Sequence, residues 1–157
     1  MLQRLRAAEN HPALDLFVCA KIGMSDLSIT NRLLLGGFFI TNGINHFRNL
    51  NIMAGHAESK ATPASALAVG GSGVLLLLGG LSLVFGFRTI AGAALLIIFL
   101  LGLSFKIHNY WAVQDPQPNM GDQINFRKNM ALLGALLMLT PIPRPWPLSV
   151  ERSRPEL

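Results

Sequence analysis

Residues Ala61 to Phe87 form 27 consecutive positions without a charge, and after Arg88 another 17 follow, Thr89 to Phe105, before Lys106. A helix rises about 1.5 Å per residue and a bilayer's hydrocarbon core is about 30 Å thick, so roughly 20 apolar residues cross it once. The pattern predicts one membrane helix over about Ser65 to Gly86 and a second over about Arg88 to His108, joined by a tight turn at Gly86 to Arg88. Leu33 to Phe47 is uncharged and extends back to about Ser28, which adds an earlier crossing. Asn129 to Pro143 is uncharged as well and places a last crossing over about Phe126 to Pro141. The first and last stretches are short and need flanking residues at the head groups.

The remaining segments read as connections. Asn49 to Pro63 is polar and ends in proline, while Trp111 to Asn125 holds two prolines, Gly121 and two aspartates. Near the amino terminus, Pro12 suits a first helical turn and Leu14, Phe17, Val18 and Lys21 share a face, which predicts a short interfacial helix over residues 12–23. The fold expected is an all-α integral membrane four-helix bundle of up-down topology. Its parts are an amino-terminal cytoplasmic and interfacial segment over 1–28, a transmembrane domain over 29–143 and a cytoplasmic tail over 144–157.

Composition agrees with lipid as the solvent: 51% of residues are hydrophobic and 13% charged, where a soluble domain carries about a quarter charged. The net charge of +5 is scattered over segment ends, so anionic head groups are the expected acidic partner and nucleic acid is excluded. On one side the crossings place Arg4, Arg6, Lys21, Arg32, Arg88, Arg144, Arg152 and Arg154. On the other they place Arg48, Lys60, Lys106, Arg127 and Lys128, and the excess predicts that both termini face the cytoplasm. Cys19 is the only cysteine, so no internal disulfide forms. Glycines cluster on the second crossing at positions 70, 71, 73, 79 and 80, which marks it as the central packing element.

Alternating crossings bring the carboxyl ends of the first and third helices to the same face as the amino end of the fourth. The unusual polar residues sit there: Asn42, Asn45 and His46; Ser104, Lys106, His108, Tyr110 and Trp111; Asn125, Arg127, Lys128 and Asn129. Three readings compete. In the first, these residues anchor helix ends, with Trp and Tyr at the head-group level and Lys and Arg reaching toward it. In the second they hold a quinone-like redox ligand, with His46 and His108 meeting its oxygens. Haem or metal ligation ranks last, because no histidine pair lies one turn apart and no cysteine or carboxylate completes a ligand set. Ser59 to Gln114 contains no Asp or Glu, which argues against proton-driven transport.

The stretch Ser104 to Leu139 resembles the carboxyl half of the DoxX family of small bacterial membrane proteins. The likeness lies in His108, Tyr110, Trp111, Asp115, Pro116, Phe126, Lys128, Asn129, Leu132, Leu133 and Gly134, taken in order. It continues upstream in Phe39, Gly43 and Phe47 and in the turn before Thr89. This chain has His46 where many relatives carry lysine, and only apolar and small residues around Leu76 where many carry a glutamate. The resemblance implies an inner-membrane four-helix protein associated with quinone-linked oxidation or with a partner oxidoreductase.

The expected ligand site comprises Asn42, His46, Ser104, His108, Trp111, Lys128 and Asn129. In it the two histidines meet a quinone, Lys128 and Asn129 hold the loop from Trp111 to Asn125, and Trp111 closes the edge. A scaffold or assembly protein, whose polar cluster only ties helix ends together, is the competing expectation. A second copy of the chain is kept among the expected partners.

Overall fold

The computed structural model describes residues 12–142, 146 and 148–150, with side chains from residue 29 onward. Among the described residues five α-helices run along it: α1 (Pro12–Arg48), α2 (Leu50–Ser59), α3 (Ser65–Phe85), α4 (Thr89–Lys106) and α5 (Pro116–Leu139), with a 3-10 turn at Tyr110–Ala112 before α5. The four stretches expected as crossings are helical, in α1, α3, α4 and α5. Only α3 and α4 are long and apolar enough to cross a membrane among the described residues, and the apolar windows of the two are just 33% and 28% buried. A core helix of a water-soluble protein buries most of such a window, whereas these turn residues such as Leu67, Leu78 and Ile98 outward.

Three boundaries differ from expectation. The separate interfacial helix over 12–23 does not exist as such, because α1 runs 37 residues without a break. Nothing between Lys21 and Asn31 interrupts it, since that stretch has no proline and a single glycine, Gly23. The polar connection from Asn49 to Pro63 is largely α2, whose Leu50, Met53, Ala54 and Ala57 recur at helical spacing and pack on Val69 of α3. The loop expected over Trp111 to Asn125 is much shorter, because α5 begins at Pro116. Asp115 caps it by accepting from the Gln117 amide at 3.2 Å, and Pro116 occupies the first turn, where no amide hydrogen is needed.

Helix α3 is the centre, packed against α1, α2 and α4. Against α1 the backbones nearly touch: a methyl placed on Gly80 would lie 2.8 Å from the Gly36 carbonyl oxygen, and one on Gly36 would lie 2.8 Å from that of Gly80. Small residues allow this approach, and dispersion between close backbones replaces the hydrophobic drive that lipid does not supply. At its far end α3 stops on Gly86 in the left-handed conformation, with the Phe87 amide donating to Ser82 O at 3.1 Å. Arg32 of α1 is buried there and donates to the Leu83 and Val84 carbonyls at 3.2 and 2.8 Å, with its guanidinium 5.6 Å from the Trp146 ring. A cation suits the negative end of a helix. Of the expected tail, Trp146 is in the core, and Val150 donates its amide to Phe85 O at 2.9 Å.

Helix α5 packs on α4 alone among the helices. No Cα of α1 lies within 8 Å of one in α5 among the described residues. The bundle is therefore an open arc, α1–α3–α4–α5, although Phe39 of α1 and Leu136 of α5 share its core.

The glycine seam makes a prediction whose sign is diagnostic. In a helix, Ala is favoured over Gly by about 1 kcal/mol. Gly102 has open space around its missing side chain, so Gly102→Ala should raise the melting temperature in detergent. Gly80→Ala should lower it, by about 1–3 kcal/mol of overpacking.

Candidate functional site

The open side of the arc carries two neighbouring spaces. The inner one, about 50 Å³, is lined by Asn42 and His46 from α1, Leu76 from α3, Phe99 from α4, His108, and Lys128 and Asn129 from α5. The outer one, about 440 Å³, is an apolar cleft between α1 and α5, lined by Leu34, Leu35, Ala135, Met138 and Ile142 among others. Phe38 and Leu132 line both. The apolar cleft and the small polar chamber thus lie side by side, with Phe38 and Leu132 between them.

Five of the seven expected site residues meet in that chamber: Asn42, His46, His108, Lys128 and Asn129. Ser104 is fully buried on α4 with an unpartnered hydroxyl, but it does not line the chamber. Trp111 is 55% exposed and joins Phe105, Tyr110 and Phe126 in an aromatic group with centroids 5.2–6.1 Å apart, away from the chamber. Two expected duties also fall elsewhere. Lys128 donates to Asn125 one turn back at 2.9 Å, so it does not hold the loop. That work is done by Asn119, whose amide donates to the carbonyls of Tyr110 and Val113 at 2.6 and 2.8 Å. Asn129 is free to face the chamber. It is 3% exposed, and its amide nitrogen has no hydrogen-bond partner.

Both histidines are held from behind. His46 Nδ1 lies 2.9 Å from Ser72 Oγ and 3.3 Å from Val69 O on α3, and its ring meets Phe99 edge to face. His108 Nδ1 lies 3.0 Å from Asp122 Oδ1, and the other carboxylate oxygen of Asp122 accepts from Lys60 Nζ at 2.6 Å. One acid on the first turns of α5 thereby joins the end of α2 to the exit of α4. Lys60 was legible only as a surface charge, and Asp122 only as part of a loop. The signal for both was the helical extension of α5 upstream of Phe126, which puts Asp122 about two turns inside a capped helix.

Asp122 lies outside the crossing expected from Phe126 onward. Its burial pushes the carboxyl up, but the hydrogen bonds from His108 and Lys60 outweigh that and hold it below the ordinary carboxylate value. An acid with a depressed folded-state value stabilises the fold above its unfolded value, near 3.9, and the contribution is lost as pH falls through the folded value.

The sequence model of the DoxX family matches residues 28–109, just over half of the chain. The matched stretch covers most of α1 through the exit of α4, whereas the resemblance read from single residues was strongest further on, over Ser104 to Leu139. No curated protein and no solved structure matches the chain.

The Lys60–Asp122–His108 clasp is testable by pH. At pH 7, Lys60→Met should cost roughly 1.5–3 kcal/mol, the worth of a charge-assisted hydrogen bond. The gap between the melting temperatures of wild type and variant should close as pH falls below the ordinary carboxylate value near 3.9 and through the lower folded-state value of Asp122. A gap independent of pH would show that the lysine acts through packing instead.

Proposed function

The chain belongs to the DoxX family of membrane proteins, and we propose that it is a binding subunit for a quinone-type redox ligand, serving a partner oxidoreductase in the bacterial inner membrane. In this reading α1, α3, α4 and α5 all cross, with both termini cytoplasmic, as the charge distribution predicts. The observation that carries it is Asn129: a buried amide nitrogen without a partner, in a small chamber beside an apolar cleft between α1 and α5. Burying an unpaired amide costs about 1–3 kcal/mol, which an acceptor oxygen entering the chamber beside Asn129 would recover.

The two volumes divide the ligand between them. A ligand pocket typically offers about 300–1,000 Å³, a range that the cleft meets and the chamber does not. The chamber has room for an oxygen-bearing edge; the ring lies at the junction beside Phe38 and Leu132, and the tail runs out along the cleft. His46 and His108 meet the oxygen. Lys128, exposed at the rim, moves aside on entry. Electrons then come from and return to the partner enzyme, since the chamber holds no group that supplies them.

The scaffold reading draws on a different observation, the Lys60–Asp122–His108 clasp, which joins three segments whether or not anything binds. Asn129→Leu separates the two. Leucine fills the position without an unpaired amide, so the variant should melt about 2–4 °C higher, the shift for roughly 1 kcal/mol in a chain of this size. If Asn129 serves a ligand, the same variant purified gently from native membranes should carry at least tenfold less extractable quinone than wild type. His46→Gln combined with His108→Gln should lose it entirely. Wild-type protein that yields no quinone on solvent extraction would overturn the proposal in favour of the scaffold.

A further inference from the structure

We infer that the chamber is built to receive a hydroxyl group, so that of the two redox states of a quinone-type ligand it holds the reduced, hydroxyl-bearing one. This rests on the reading above and adds to it the form in which the ligand binds. The argument is an inventory of donors and acceptors.

At His108, the Asp122 carboxylate can only accept, and Lys60 Nζ at 2.6 Å keeps it ionised. The imidazole must therefore donate from Nδ1 across the 3.0 Å contact, which leaves the lone pair of the neutral ring on Nε2. His46 follows by the same logic. Ser72 spends its hydroxyl proton on Val69 O at 2.8 Å, so its oxygen is left to accept from His46 Nδ1 at 2.9 Å. Its lone pair, too, is on Nε2. Asn42 donates one of its two amide hydrogens to Phe38 O at 2.7 Å and keeps a carbonyl oxygen.

None of the groups holding the two Nδ1 atoms, Asp122, Ser72 and Val69, lines the chamber, whereas both imidazoles do. Neither Nε2 has a protein partner among the described residues. The chamber thus presents two ring acceptors and an amide oxygen from α1 and the exit of α4. Opposite them stand the unpartnered Asn129 amide and, at the rim, the Lys128 ammonium. A quinone carbonyl can only accept, so it would set its lone pairs against those of the imidazoles. A phenolic hydroxyl donates to an imidazole and accepts from Asn129 at once. The apolar cleft takes the hydrocarbon tail of either form and does not discriminate.

The test is calorimetry on the full-length protein in detergent at pH 8 without oxygen, using a decyl-substituted benzoquinone and the hydroquinone made from it. The hydroquinone should bind at least about tenfold more tightly. Equal affinity, or preference for the oxidised form, overturns the inference and leaves the proposed function standing. Binding of neither overturns both. Asp122→Asn removes the charge that fixes Nδ1 as the donor, so the preference should shrink to about threefold or less; a preference kept in full by a folded variant also overturns the inference. Nitrogen NMR of wild-type protein labelled on histidine reads the same point without mutation. His46 and His108 should both carry the proton on Nδ1, and an Nε2 proton on both would sink the assignment.

Discussion

The contact between the backbones of α1 and α3 is the constraint from which the rest of the structure follows. Gly36 and Gly80 put each helix within reach of the other's carbonyl oxygens, and Gly43 and Gly73 repeat the close approach nearer the polar end. A seam this tight admits no third helix between its members. With α1 on one side, α4 on another and α2 across its amino-terminal end, α3 has no face left for α5. The last helix hangs on α4 alone, and the gap opposite α1 is the cleft. A symmetric bundle, with every neighbour in contact, would have sealed the chamber from lipid.

Polar side chains inside the bundle fall into two sets. Arg32 on the α3 carbonyls, Ser82 on the carbonyl oxygen of Phe87 and Ser72 between Val69 and His46 have partners, whereas the buried hydroxyls of Thr89 and Ser104 on α4 have none. Where α1 and α5 part, Asn129 has none for its amide nitrogen. Closing the gap would supply a partner and strengthen the fold. On the proposed reading it would also close the entrance, so stability and access oppose each other at this residue.

How much of this was legible in the sequence depends on which physical signal each part carries. The apolar runs placed α3 and α4 to within two residues at either end, because charge exclusion from hydrocarbon is a strong rule and Gly86 marks the turn. It also brought His46 and His108 to one end. Helix α2 was missed because Asn49 to Pro63 is polar in composition while its helical information lies in spacing: Leu50, Met53, Ala54 and Ala57 form a narrow stripe that an average over the segment hides. The start of α5 was missed for a related reason. Asp115 and Pro116 read as loop residues in a count of prolines and acids, yet in that order they are a cap and a first turn. Charge marks where a helix leaves the hydrocarbon, and the helix itself ends elsewhere. Trp111 was misplaced because sequence spacing continued the α4 stripe past Lys106, where the helix has already ended.

That extension of α5 resolves an apparent gap in the chemistry. No carboxylate occurs between Ser59 and Gln114, so nothing in α3 or α4 can orient a buried imidazole with a charge. An ionised acid placed there would carry a heavy desolvation cost. By beginning ten residues before Phe126, α5 instead carries Asp122 past the expected hydrocarbon boundary, where Lys60 neutralises it, and the carboxylate reaches back to the far edge of His108. The charge itself stays out of the chamber. What is transmitted inward is only a choice of which ring nitrogen holds the proton, and that choice determines whether the imidazole offers the chamber a lone pair or a hydrogen. An acid can thus set the character of the chamber from one ring's width away, and for a chain with no carboxylate in α3 or α4 that is the available route.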